Sequence, residues 1–101
     1  MSITYQIVYW RDIPAQIKLR SEKGRLARSL SPRFQEAIDA AAMRANATGT
    51  DTYLEEWRTS PPQPGEGDPE SIADVLVAEL EAAYPMDRLD KLAMNKGYES
   101  T

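Results

Sequence analysis

The sequence predicts a small α+β domain, an antiparallel sheet of three or four strands packed with three helices. Two changes of period carry this expectation. Apolar residues alternate with a period of two through the first thirty positions, then recur at helical spacing from residue 32 onward. Each of the two longer helical runs opens on a capping residue followed by proline, Ser31-Pro32 and Asp68-Pro69. A chain of 101 residues suits one domain with one modest core, expected over residues 1–96.

Residues 3–10 are dense in β-branched and aromatic side chains and read as the first strand. Ile3, Tyr5, Ile7 and Tyr9 share one face while Thr4, Gln6, Val8 and Trp10 share the other. Apolar groups on both faces suit a central strand. Pro14 holds Ile13 extended, and residues 14–20 alternate again with Ile17 and Leu19 on one side. Ser21-Glu22-Lys23-Gly24 is a hairpin signal, and residues 25–30 form the third strand, with Leu26 and Leu30 set against Arg25, Ala27 and Ser29.

From Phe34 through Asn46 an alanine-rich stripe (Ala37, Ile38, Ala41, Ala42, Ala45) predicts a helix over residues 32–46, close-packed on the sheet and capped by Ser31. Residues 47–50 are a break. Residues 52–58 read two ways. Thr52 to Glu55 matches a capping box, whereas Tyr53 and Trp57 share one side of an extended strand. The balance favours a fourth strand. Residues 59–67, rich in Pro and Gly, are an exposed loop. A helix over 69–84 follows, with Ile72, Val75, Leu76, Leu80 and Ala83 as its apolar stripe, ended by Pro85. A short helix over 87–95 turns Leu89, Leu92 and Met86 inward and stops at Gly97, after which 97–101 fray.

Composition excludes several chemistries. There is no cysteine, so disulfides, thiolate nucleophiles and cysteine-ligated metals are absent. There is no histidine, which removes the commonest general base and metal ligand. The carboxylate pairs Glu55/Glu56 and Asp87/Asp90 read as solvated surface, and Gly24, Gly65 and Gly67 make no phosphate-binding loop. An enzyme acting alone therefore ranks last, and neither cofactor nor metal is expected. No apolar run approaches the ~20 residues that span a bilayer. The start of the chain also lacks a signal peptide's basic and apolar regions, so a cytoplasmic protein without membrane insertion is the expectation.

Charge is unevenly placed. Residues 1–50 carry eight Lys/Arg against four Asp/Glu, whereas residues 51–101 carry four against twelve. Such polarisation commonly means that the halves attract each other within the fold, and the alternative is an anionic partner. Two groups stand out as candidate partner-binding residues. Arg11 and Asp12 sit in the turn that ends the aromatic strand, with Trp57-Arg58 as a second pair. Lys18, Arg20 and Arg28 are expected to share the polar face of the hairpin as a steering stripe. The competing reading for the turn is structural: Asp12 caps it, Arg11 stacks on a ring, and Trp10 fills the core.

Three blocks carry a resemblance: residues 5–16 (Tyr5-Gln6-Ile7-Val8-Tyr9-Trp10-Arg11-Asp12-Ile13-Pro14-Ala15-Gln16), residues 34–45 beginning Phe34-Gln35-Glu36-Ala37, and residues 51–58 ending Trp57-Arg58. In this order, across about residues 4–58, the chain resembles the bacterial virulence factor domain family. That family comprises small stand-alone proteins and the C-terminal domain of the longer conserved virulence factor C. The resemblance implies no catalytic residues. It does imply that stand-alone members occur beside corrinoid and tetrahydrofolate methyl-transfer genes. The leading expectation is a non-catalytic accessory or interaction domain working through a protein partner. The alternatives are a binder of an anionic cofactor, or accessory protein, in one-carbon metabolism, and weak nucleic-acid binding through the basic hairpin. The last is disfavoured because that stripe has no interleaved aromatics. Neither the oligomeric state nor the partner is set by the sequence.

Overall fold

The first strand is the axis of the architecture. In the computed structural model, which describes residues 3–47 and 51–99, β1 (Ile3–Trp10) pairs antiparallel with β2 (Ile13–Ser21), and β2 pairs antiparallel with β3 (Gly24–Ser29). On the other side of β1 lie two three-residue strands in tandem. β4 (Trp57–Thr59) runs opposite residues 8–10, and β5 (Gln63–Gly65) opposite residues 3–5. Four helices complete the α+β fold: α1 (Pro32–Arg44), α2 (Asp51–Glu55), α3 (Pro69–Ala83) and α4 (Met86–Met94).

The β1–β2 register shifts at Val8/Tyr9, with Val8 opposite Gln16 and Tyr9 opposite Pro14, so Ala15 is the extra residue of a bulge. A bulge is where a sheet tolerates proline, which cannot donate to the ladder. The freed Ala15 carbonyl accepts from the Leu30 amide at 3.1 Å and holds the exit of β3.

Two apolar clusters form the core. Ile3, Ile17 and Leu19 of the sheet bury against Ala73, with Tyr5, Ile7, Leu26, Ile72 and Leu76 packed around them. α3 thus covers one face of the hairpin end. At the other end Trp10 and Ile13 are fully buried with Phe34, Ile38, Ala41 and Ala42 of α1 and Leu89 and Leu92 of α4. Val77 and Leu80 of α3 touch both clusters and join them.

Residues 52–58 satisfy both of their sequence signals in turn. Instead of one strand, α2 ends as the Glu56 amide bonds the Thr52 carbonyl, and pairing with β1 begins at Trp57. The loop over 59–67 also contains structure, namely β5. Ser60 bridges β4 and β5: its amide donates to the Ile7 carbonyl (2.9 Å), its hydroxyl accepts from the Ile7 amide (2.8 Å), and its carbonyl accepts from the Gln6 side chain (3.0 Å).

Helix details depart from expectation for identifiable reasons. Ser31 makes no cap to its own helix. Its amide and hydroxyl both donate to the Glu81 carboxylate of α3, at 2.7 and 2.8 Å, and Arg33 pairs with the same carboxylate at 3.0 Å. α3 buries Ala73 and half-buries Val77, while Val75 and Ala83 of its expected stripe are exposed. Met86 is also exposed, at the first turn of α4. Beyond α4, residues 97–99 make contacts with the β1–β2 turn. Gly97 is buried, its carbonyl accepts from the Asp12 amide (2.8 Å), and the Glu99 amide donates to Asp12 Oδ2 (2.8 Å). Ser100 and Thr101, the start of the N-terminus, and the break expected beyond Ala47 lie outside the described residues. No helix among the described residues is long and apolar enough to cross a membrane.

Candidate functional site

The residues singled out in the sequence fall into two places. At the β1–β2 turn, Arg11 adopts a left-handed backbone (φ 54°), a conformation that costs a non-glycine residue about 1–2 kcal/mol. Its amide donates to the Glu56 carbonyl at 3.1 Å and that of Asp12 to Gly97, so the turn is tied to both flanking segments. The Arg11 guanidinium lies between the rings of Trp10 (4.9 Å) and Tyr98 (4.7 Å), donates to the Lys96 carbonyl (2.8 Å), and approaches Glu56 at 3.5 Å. Its side chain is only 9% exposed. Asp12 accepts from Arg58 (3.2 Å) on one oxygen and from Glu99 on the other. Arg58 also donates to the Arg11 carbonyl (3.0 Å) and stacks over Tyr9 (4.6 Å). Trp57 packs edge-on against Tyr53, whose carbonyl receives the Trp10 indole N–H at 2.9 Å.

The structure therefore brings Arg11, Asp12, Trp57 and Arg58 together, with most of their polar atoms engaged by the protein itself. Next to this clasp, Tyr84 is pushed above the usual tyrosine range chiefly by burial, against the opposing pull of Arg88 stacked on its ring at 4.0 Å. Arg88 is in turn raised, chiefly by its hydrogen bond to Glu99.

The second place is the sheet face away from α3, at the hairpin end. The β1–β2–β3 register sets Thr4 opposite Arg20, Gln6 opposite Lys18, Lys18 opposite Ala27, and Arg20 opposite Arg25. These side chains, with Pro62, line an open groove of about 460 Å³. Among the described residues Lys18, Arg20 and Arg25 make no ion pair, and the strand positions lining this face include no acid. Arg20 and Arg25 are like charges directly across the ladder, an arrangement that costs stability.

Arg28 is not on this face. It is paired with Ile17, which places it beside Leu26 under α3, where it reaches Glu70 at 3.4 Å. The stripe expected from Lys18, Arg20 and Arg28 is thus Lys18, Arg20 and Arg25. The signal lay in the alternation: Arg28 shares the parity of the apolar Leu26 and Leu30, and Arg25 does not. Thr4 and Gln6 were missed because they are uncharged, and only the β1–β2 register sets them directly beside Arg20 and Lys18. Among the described residues, no group of three or more acidic side chains is placed to hold a metal ion.

No curated protein and no solved structure matches this chain. The model of one protein family does, under the description "Virulence factor", over residues 8–93. The match extends the resemblance read from residues 4–58 through α3 and α4, so the helices that carry Glu81 and the Gly97 turn fall in or beside the family's own pattern. With most of its length covered, from the end of β1 to the last turn of α4, the chain belongs to the virulence factor family.

Proposed function

We propose that this protein is a non-catalytic interaction domain that engages an acidic protein partner on the open face of its sheet. The observation that carries the proposal is the Lys18, Arg20 and Arg25 group, three exposed cations with no acid among them, two of which face each other at a cost to the fold. An anionic partner removes that repulsion on binding and is steered by it beforehand. The polar atoms of Arg11, Asp12 and Arg58 are largely committed to internal contacts, which favours the open face over the turn as the partner surface.

The test is affinity capture from the native cytosol, comparing wild type with a Lys18→Glu, Arg20→Glu, Arg25→Glu variant of unchanged circular dichroism. The reading expects partners that are lost in the variant and released by raised salt. Identical partners in the two captures would remove the open face from the interface.

The groove supports a second reading, an anionic small ligand, because about 460 Å³ falls within the range of ligand sites. A thermal-shift panel of folate-like and phosphorylated compounds separates the two. A ligand at about 100 times its dissociation constant adds ~2.7 kcal/mol.

A further inference from the structure

The two edges of the sheet are built differently. On the β1 side the edge is made of two three-residue strands, interrupted by Pro61 and Pro62 and carrying Pro64 within β5. Short strands and prolines are the usual means of keeping an edge from pairing. The β3 edge has neither. β3 is six residues long, contains no proline, keeps an unbroken register with β2 from Gly24 to Ser29, and pairs with β2 alone among the described residues.

The parity of its backbone groups follows from the ladder. Leu30 donates to Ala15 at 3.1 Å, and the register extends that alternation, so Gly24, Leu26 and Arg28 exchange hydrogen bonds with Ser21, Leu19 and Ile17. The amides and carbonyls of Arg25, Ala27 and Ser29 therefore point away from β2, toward solvent. All three residues are exposed. Their side chains lie on the open face beside Lys18 and Arg20.

We infer that β3 accepts an extended acidic segment of a partner protein as an added strand, bonded to the outward backbone groups of Arg25, Ala27 and Ser29. This rests on the reading of the open face as the partner surface and specifies how the partner is held. Main-chain bonds give a row of contacts that does not depend on the partner's sequence, and alternate side chains give selectivity. On an added strand every second side chain falls on the open face. There one side chain meets Arg25 directly, and one opposite the small Ala27 faces Lys18 across it on the next strand. Carboxylates at those positions are matched, and cations are rejected. Charge also argues against a second copy of this chain as the occupant, since β3 beside β3 would bring six cations onto one surface.

The probe is a capped hexapeptide of alternating Glu and Val, measured by calorimetry and by amide hydrogen exchange. Binding slows exchange at Ala27 and Ser29 by at least tenfold, while Leu26 and Arg28, already bonded to β2, change little. Ala27→Pro removes an outward N–H that the β2–β3 ladder does not use, so the fold is kept and affinity falls at least tenfold. Arg25→Glu with Lys18→Glu lowers affinity to a similar extent.

Loss in the charge variant with full binding by Ala27→Pro overturns strand addition and leaves the basic-face reading standing. Unchanged binding in both variants overturns both. No binding to wild type, or protection that grows with protein concentration and ignores the peptide, overturns the proposal, the latter in favour of a second copy. Should Ala27→Pro unfold, the exchange pattern of wild type decides alone, since uniform protection along 24–29 contradicts an edge-bound strand.

Discussion

Glu81 shows how much one side chain can organise. From the last turns of α3 its carboxylate takes the Ser31 amide and hydroxyl, and it pairs with Arg33. Arg33 in turn donates to the carbonyls of Glu81 (2.8 Å) and Tyr84 (3.1 Å). One acid therefore caps α1 from another helix and seats the cation that closes the end of its own helix. Hydrogen bonds to charged groups contribute about 1.5–3 kcal/mol each, and they are not additive here because they share one carboxylate. Glu81→Ala is expected to lower unfolding stability by about 2 kcal/mol, read from the urea midpoint at constant slope. A loss below about 0.5 kcal/mol, the usual range of a surface change, would mean that water replaces the carboxylate without cost.

At the scale of elements, both α1 and α4 end in the same way, and both endings bear on the site. After α1, Asn46 is left-handed (φ 56°), its amide bonds Met43, and that of Ala47 bonds Ala42 at 2.8 Å. After α4, Lys96 is left-handed (φ 62°), its amide bonds Ala93, and Gly97 bonds Leu92 at 2.7 Å. These are Schellman endings, with asparagine in the strained position in one case and lysine in the other. The glycine that the sequence offers as a stop sits one residue later, and for a different reason. A Cβ on Gly97 would lie 3.0 Å from the Trp10 ring and 3.2 Å from Arg11 Cδ, and its φ is +94°. Glycine is required there by close approach as well as by backbone. Lys96→Gly is thus expected to stabilise by about 0.5–1 kcal/mol, the left-handed cost less the added chain entropy. Gly97→Ala is expected to destabilise. Thermal unfolding of the pair checks both signs, and a destabilising Lys96→Gly would contradict this account.

Over the whole molecule, the C-terminal residues close a seam between sheet and helices. Asp12, Arg58, Tyr9, Tyr84, Arg88 and Glu99 meet there, from β1, its turn, β4, the end of α3, α4 and the tail. Burial holds the Tyr84 phenol in its protonated form, with Tyr9, Glu99 and Asp12 adding to the effect and Arg88 opposing it. The folded state therefore keeps this proton more tightly than the unfolded chain. Its contribution is fully present below the ordinary tyrosine value of 10.0 and is lost as pH rises through the higher folded value. Urea stability is expected to fall above about pH 10, and the fall should be shallower in Tyr84→Phe. Equal slopes in the two proteins would show that other groups titrate first.

The sequence by itself determined the α+β class, the three-strand meander, the places where the long helices begin, and the family. The first three rest on local physics, namely period-two alternation, proline at the first helical turn, and β-branched and aromatic density in residues 3–10, and the family rests on the resemblance carried by three blocks of residues. It also held the basic face in outline, since the parity of Arg25 and Arg28 is written in the chain. Only the tertiary structure decided what pairs with the second edge of β1, because residues 57–59 and 63–65 are too short to announce themselves and become strands through β1. The same holds for Ser31, whose partner Glu81 is fifty residues away, and for the Arg11-Asp12 turn, where both structural and functional readings were open. A long-range contact has no period and no local signature. It is made when folding brings together groups, such as Asp12 and Glu99, that are distant in the chain.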